Sequence, residues 1–250
     1  MRADVFLAQN QLAASRETAK KLIEGGCVRV GGKTVSKPSC ELPDDTDPAS
    51  VEIEVSPETR YVSRGGLKLE AALDAFGISV CGLRALDIGA STGGFTDCLL
   101  SRGAAQVTAV DSGHGQLSAR LAADSRVRSL EGMNARYLSA AEVGTGYDIA
   151  VMDVSFISQT LILPVIPALL RDGGELVSLI KPQFEVGRAD VGKGGIVRSA
   201  AARERAVTAV RTAADAVGLK CCGVITSPIQ GGDGNTEYLA HFRRAATTGK

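Results

Sequence analysis

No apolar run in this 250-residue chain approaches the roughly 18 residues that a membrane span needs. The longest candidate, Leu161 to Leu170, is cut by Pro164 and Pro167, and the N-terminus lacks the apolar core of a secretory signal. These absences predict a cytoplasmic protein with no membrane contact. Six cysteines are present, but there is no Cys-x-x-Cys and no Cys/His cluster at zinc spacing, so neither a metal site nor a disulfide framework is indicated. Cys221 and Cys222, adjacent in a predicted strand, read as packing residues that face opposite ways. The glycine loop at Gly89–Gly94 does not fit G-x-G-x-x-G and lacks the G-K-[ST] ending of a P-loop, and its spacing disfavours an NAD oxidoreductase.

Net charge is absent too: 28 Lys and Arg balance 28 Asp and Glu. Taken alone, this argues against nucleic acid, but the charges are segregated. Residues 1–40 carry seven bases (Arg2, Arg16, Lys20, Lys21, Arg29, Lys33, Lys37) against three acids, and residues 41–58 carry seven acids and no base. The chain is therefore divided before partners are considered. The reading gives residues 1–58 as one domain, 59–64 as a linker and 65–250 as a second domain.

Within the first part, Asp4 to Asn10 reads as a short helix. A second runs from Arg16 to Glu24, capped by Ser15 and stopped by Gly25-Gly26. Val28 to Val35 alternates around Gly31-Gly32 as a tight hairpin, and Val51 to Val55 reads as a closing strand. Arg16 and Lys20 stand four apart on one helix face with Lys21 beside them. Two small helices followed by this basic hairpin resemble the RNA-binding domain first named from a small-subunit ribosomal protein, the S-four type. The competing interpretation is a solvated basic face on a helical cap.

The second part is organised around Leu86-Asp87-Ile88-Gly89-Ala90-Ser91-Thr92-Gly93-Gly94-Phe95-Thr96. An apolar strand breaks into a small-residue loop and a helix follows, as in the first unit of a Rossmann-like fold. A D-x-G-x-x-x-G-G loop resembles motif I of the S-adenosyl-L-methionine (SAM) methyltransferases. That resemblance assigns Asp87, Gly89, Ala90, Ser91, Thr92, Gly93, Gly94 and Phe95 to the cofactor. Asp111 ends the next strand, 22 residues past Gly89, where an acid hydrogen-bonds ribose hydroxyls. Asn134 is placed to meet an adenine edge, with a helix cap as its alternative role. Phe156 is placed to pack near SAM, with core packing as its alternative.

Further strands are predicted at Val127–Glu131, Tyr147–Asp153, Glu175–Pro182, Leu219–Ile225 and Glu237–Phe242, with a proline-containing helix around Leu161–Leu170 and a helix capped by Ser199. The predicted class is α/β: a mostly parallel seven-stranded doubly wound sheet with an antiparallel final pair, preceded by a small α+β domain. Asp153 and Lys181 fall at strand ends where ligands sit in such sheets. Glu237 opens the last strand, and Lys68 lies in the first turn of a helix carrying Leu69, Ala72, Leu73 and Phe76.

In the order Lys68, Asp153, Lys181, Glu237, these four resemble the tetrad of the FtsJ-like RNA 2′-O-methyltransferases. With the stretches Tyr61–Leu69, Leu86–Thr96, Asp153–Ser158 and Ile180–Glu185, and the small domain in front, the chain resembles the TlyA family of haemolysin-A-like rRNA methyltransferases. The resemblance implies SAM as cofactor, 2′-O-methylation of a cytidine, and ribosomal RNA or ribosomal subunits as partner. A monomer is expected. A ribose hydroxyl is a weak acid, so its attack on the methyl needs a base within hydrogen-bond reach, a role that falls to Lys181. Lys68 supplies a second cation, and Asp153 and Glu237 hold the amines. Arg2, Arg16, Lys20, Lys21, Arg29, Lys33, Arg64, Arg188 and Lys193 are the candidate RNA contacts. Two other functions stay open: an RNA-binding assembly factor without catalysis, and a membrane-lytic haemolysin.

Overall fold

The computed structural model describes residues 1–13, 15–43, 45–53 and 60–246. The chain forms two compact units, Met1–Arg60 and Tyr61–Lys250. In the first, helices α1 (Ala3–Gln9) and α2 (Arg16–Glu24) precede strands β1 (Val28–Val30), β2 (Lys33–Thr34) and β3 (Val51–Ile53), which form an antiparallel sheet in the order β2-β1-β3. The Ser15 hydroxyl accepts a bond from the Thr18 amide and caps α2. Gly31 and Gly32 both adopt positive φ, which a two-residue hairpin turn requires. Glu54 and Val55, the end of the expected closing strand, residues 56–58 and Thr59, the first residue of the expected linker, lie outside the described residues.

Asp4, fully buried, receives Arg2 at 3.0 Å and Arg16 at 2.8 Å. Hydrogen bonds from the two guanidiniums hold its carboxyl at about 2, below the ordinary 3.8. A depressed carboxyl stabilises the fold above its unfolded value, and that contribution drains as pH falls through the folded one. Hydrogen exchange of α1 and α2 amides in the intact chain is therefore expected to accelerate as pH drops from about 4 to about 2, after correction for intrinsic rates. In Asp4→Asn this acid dependence disappears, and exchange is faster than wild type at neutral pH.

The second unit is a seven-stranded sheet with helices on both faces. Its strands are β4 (Arg84–Ile88), β5 (Gln106–Val110), β6 (Val127–Leu130), β7 (Tyr147–Met152), β8 (Leu170–Ile180), β9 (Leu219–Thr226) and β10 (Tyr238–Arg244), in the order β6-β5-β4-β7-β8-β10-β9. Helices α3 (Gly65–Phe76), α4 (Gly94–Ser101), α5 (Ala119–Ala122), α6 (Ala140–Val143), α7 (Ile166–Leu169), α8 (Pro182–Glu185) and α9 (Ala200–Ala216) surround it. Strand residues alternate between two cores. Ile149, Val151, Val177, Leu179 and Leu239 join Leu69, Leu73 and Leu99 of α3 and α4. Ala150, Met152, Leu176, Ile180 and Phe242 join Ile162, Ile166 and Val210 on the other face. Coverage of both faces is why the central strands are continuous apolar runs. Among the described residues no helix is long and apolar enough to cross a membrane.

The structure corrects several local expectations. The helix expected around Leu161–Leu170 is instead two 3₁₀ turns, Gln159–Leu161 and Leu163–Val165, followed by the four-residue α7. Pro164 and Pro167 each sit in the opening positions of a turn, where a missing N–H costs nothing, and neither admits a helix running through it. The fifth strand of this sheet begins at Leu170 rather than Glu175. Leu170 pairs with Tyr147 and Glu175 with Ile149, so Arg171–Gly174 bulge out between them. In the final pair β9 and β10 are antiparallel to each other, but β10 is also antiparallel to β8. Only β10 therefore runs against the rest. Cys222 is not a packing residue: His241 pairs with Gly223 and Phe242 with Cys221, which leaves Cys222 as the extra, exposed residue of a bulge.

Candidate active site

Strand order reverses between β4 and β7, and in open α/β sheets the crevice beyond such a switch point is where ligands bind. The two chain segments leaving it are in close contact. The Asp153 amide donates to Ile88 O at 2.9 Å, and a Cβ on Gly89 would stand 2.4 Å from Asp153 O. Gly89 also has φ +84, so this position demands glycine for both space and conformation.

The loop that follows is pinned from the next strand. Val110 O accepts from the amides of Gly89 and Ala90, while the Asp111 carboxylate accepts from Ser91 N at 2.8 Å and Gly113 N at 2.7 Å. Gly93 (φ +97) turns the chain into α4. A Cβ on Gly94 would stand 2.2 Å from Ser63 Oγ, so the segment before α3 lies directly on the loop. Asp97 fastens that segment, accepting from the Val62 amide at 2.9 Å and from Arg120 at 2.6 Å. Tyr61 is buried in this unit, whose first residue is thus four positions before the expected domain start at 65.

Two adjoining cavities open here. The smaller, about 320 Å³, is lined by Ser63, Arg64, Lys68, the Gly89–Thr92 loop, Gly94, Phe95, Asp153, Ser155 and Lys181. The larger, about 480 Å³, shares Gly89, Ser91, Asp153 and Ser155 and adds Asp111, Asn134 and Phe156 among others. The larger cavity has Asp111 in its lining, and the smaller is bordered by the glycine loop.

The four tetrad positions form two ion pairs. Lys68, 8% exposed on α3, donates to Glu237 Oε2 at 2.6 Å. Glu237 is buried behind it, against Gly231, where a Cβ would stand 2.6 Å from Glu237 Oε1. Lys181 Nζ lies 2.6 Å from Asp153 Oδ1 and donates to Ser155 Oγ at 2.8 Å. Pro182 opens α8 and keeps Lys181 extended (φ −109, ψ 100), which turns the amine toward the cavity. Both lysines line the smaller cavity, and Glu237 holds Lys68 without lining it.

Not every residue expected to meet a cofactor lines these cavities. Asp87 is fully buried beneath the loop, where its Oδ2 accepts from Thr96 Oγ1 at 2.6 Å and its Oδ1 has no hydrogen-bond partner among the described residues. Burial, together with the charges of Asp153 and Asp111, pushes its carboxyl up to about 7. Gly93 shapes the turn without lining either cavity. Asn134 lines the larger one, and its side-chain oxygen caps a 3₁₀ turn by accepting from the Arg136 amide. Phe156 is 91% exposed with φ +64, its ring 5.2 Å from that of Phe184, so it is not a core residue.

Of the candidate RNA contacts, Arg64 lines the smaller cavity, while Arg188 and Lys193 are exposed around the loop after α8. Lys20, Lys21, Arg29 and Lys33 are exposed on the first unit, and Arg2 and Arg16 reach back to Asp4.

Sequence reasoning passed over Ser63, Ser155, Asp97 and Asn235. Buried Asn235 accepts from Val197 N and donates to Gly195 O, tying the glycine-rich loop to the turn before Glu237. None of these has a local spacing signal, because their partners lie 23 to 40 residues away.

Comparison with known proteins places this geometry. The pattern of FtsJ-like methyltransferases matches residues 61–244, and that of the S4 domain matches residues 1–44. The 16S/23S rRNA (cytidine-2′-O)-methyltransferase TlyA of Mycobacterium tuberculosis is 44% identical over 97% of this chain and 89% of the relative. Hemolysin A of Brachyspira hyodysenteriae is 45% identical over 97% and 99% respectively. A solved hemolysin-named structure from Streptococcus thermophilus, 44% identical, superposes with a TM-score of 0.74 over 98% of this chain and 88% of that one.

Proposed function

This chain belongs to the FtsJ-like methyltransferase family, and from that membership we propose that it transfers the methyl group of SAM to the 2′-hydroxyl of a cytidine ribose in ribosomal RNA. The observation that carries the reading is that Lys68 and Lys181, each paired with its own carboxylate, both line the cavity beside the glycine loop.

SAM, when bound, supplies a methyl group on a sulfonium that is already a good leaving group. The protein's own residues do the rest. The Gly89–Phe95 loop and Asp111 hold the two ends of the cofactor, with Asn134 and Phe156 bordering its larger compartment. Lys181 takes the proton of the ribose hydroxyl. Asp153 offsets the charge this places on the amine. Lys68, fixed by Glu237, adds a positive potential that favours the developing alkoxide. The S4 domain supplies affinity for the RNA backbone through Arg2, Arg16, Lys20, Lys21, Arg29 and Lys33, since phosphates are held by basic side chains without regard to sequence. Arg64, which lines the smaller cavity, and Arg188 and Lys193, exposed around the loop after α8, offer phosphate contacts on the second unit.

The test is incubation of the full chain with methyl-labelled SAM and separated ribosomal subunits, followed by nuclease digestion and nucleoside analysis. Label in 2′-O-methylcytidine is the expected result. Label in a base, or none with SAM bound and RNA retained, overturns the reading in favour of another methylation or a non-catalytic assembly factor.

A further inference from the structure

Lys181 has two neighbours at its nitrogen, and they are not equivalent. Asp153 Oδ1 is 2.6 Å away, yet that buried oxygen makes no well-angled hydrogen bond to any group among the described residues. The aligned bond runs instead to Ser155 Oγ, 2.8 Å from Nζ. Asp153 thus supplies charge and Ser155 supplies direction. Resting on the function proposed above, we propose that Ser155 is a positioning residue for Lys181, aiming its lone pair at the ribose hydroxyl.

Before the reaction the Lys181 ammonium releases one proton to solvent, which leaves a neutral amine with two N–H bonds and one lone pair. One N–H is committed to Ser155 Oγ, which confines the lone pair to the remaining tetrahedral directions, and Lys181 lines the smaller cavity. In the reaction the hydroxyl proton passes to this lone pair and the ribose oxygen bonds to the methyl carbon. The carbon–sulfur bond breaks with its electron pair left on sulfur. The third N–H so formed stands where the substrate proton was.

The local backbone is built to hold Ser155 in place. Phe156 at φ +64 turns the chain immediately after it, a conformation a bulky residue adopts only when its surroundings impose it. Just beyond it the chain is tied to Glu185, four residues past Lys181, whose carboxylate accepts from Ser158 Oγ at 2.6 Å and Gln159 N at 2.9 Å. The segment carrying Ser155 is therefore latched to the one carrying Lys181. Ser155 itself is exposed, so its bond adds little to stability, and orientation is what remains for it to contribute.

The test compares Ser155→Ala and Ser155→Thr with wild type in single-turnover methyl transfer, SAM binding by calorimetry and thermal unfolding. Misaiming a reacting group by an ångström costs on the order of 100-fold, so the alanine variant is expected to be slowed roughly 10- to 100-fold. Its SAM Kd stays within about twofold and its Tm within about 2 °C, as for other exposed substitutions. The threonine variant, which keeps the hydroxyl, stays within about fivefold of wild type. Alanine at the wild-type rate overturns the proposal. So does a SAM Kd that weakens in step with the rate, or threonine as slow as alanine, since either makes Ser155 a cavity wall. Failure of the wild-type chain itself to label ribose overturns the functional reading on which the proposal rests.

Discussion

Replacing Lys181 with alanine is expected to lower single-turnover methyl transfer by roughly 10²- to 10⁴-fold, the range that a positioned general base contributes. SAM binding should change little, because the glycine loop, Asp111 and the Lys68–Glu237 pair are left in place. The informative companion is Lys181→Arg. A guanidinium keeps the charge and reaches Asp153, but it does not give up a proton in proteins and has no acceptor site. If Lys181 acts as a base, arginine is as inactive as alanine. If it acts only as a cation beside Asp153, arginine restores a large part of the rate. Methyl transfer and calorimetric SAM binding on the three proteins separate these outcomes.

A second large effect is expected at Gly89, without removing any functional group. The added methyl of Gly89→Ala would stand 2.4 Å from Asp153 O and 3.0 Å from its carbonyl carbon, both backbone atoms. No rotamer relieves such a clash, so the glycine loop and the Asp153 segment must separate. Positive φ for alanine adds about 1–3 kcal/mol of its own. Because the two cavities meet across this contact, SAM affinity and methyl transfer should fall together, affinity by about 100-fold or more (on the order of 3 kcal/mol). Gly115→Ala is the control: its φ is also positive, at +64, but nothing lies within 4 Å of the added carbon. Calorimetric SAM binding should leave the Gly115 variant near wild type. Equal loss in both variants would show that backbone strain, not the approach of Asp153, dominates.

How far the site was legible follows the range of the signals. Motif I, the Asp111 strand end, the Ser15 and Ser199 caps and the Gly31-Gly32 hairpin are local patterns, in which a residue and its reason lie within a few positions. They appear in the structure where the sequence places them. The Leu161–Leu170 segment misled because an apolar run between prolines satisfies helical periodicity, although no turn in it can extend through either proline. Cys222 misled because a bulge shifts side-chain alternation by one residue, and nothing in Cys221-Cys222 announces the bulge.

The sequence by itself determined the α/β class and the layered sheet. It did so because apolar alternation, helix stops and strand-ending carboxylates are each dictated by backbone geometry over short stretches. It also singled out Lys68, Asp153, Lys181 and Glu237 as residues of interest. What only the tertiary structure decided is how those four are partnered. Lys68 joins Glu237 across 169 positions, and Lys181 joins Asp153, because α3, β7, β8 and β10 bring distant segments together. It likewise removed Asp87 from the cavity, since burial depends on what covers a residue. The place of Ser155 was settled in the same way: an ordinary hydroxyl in an exposed loop gains its meaning from the Lys181 nitrogen 2.8 Å away, a relation no spacing in the chain encodes.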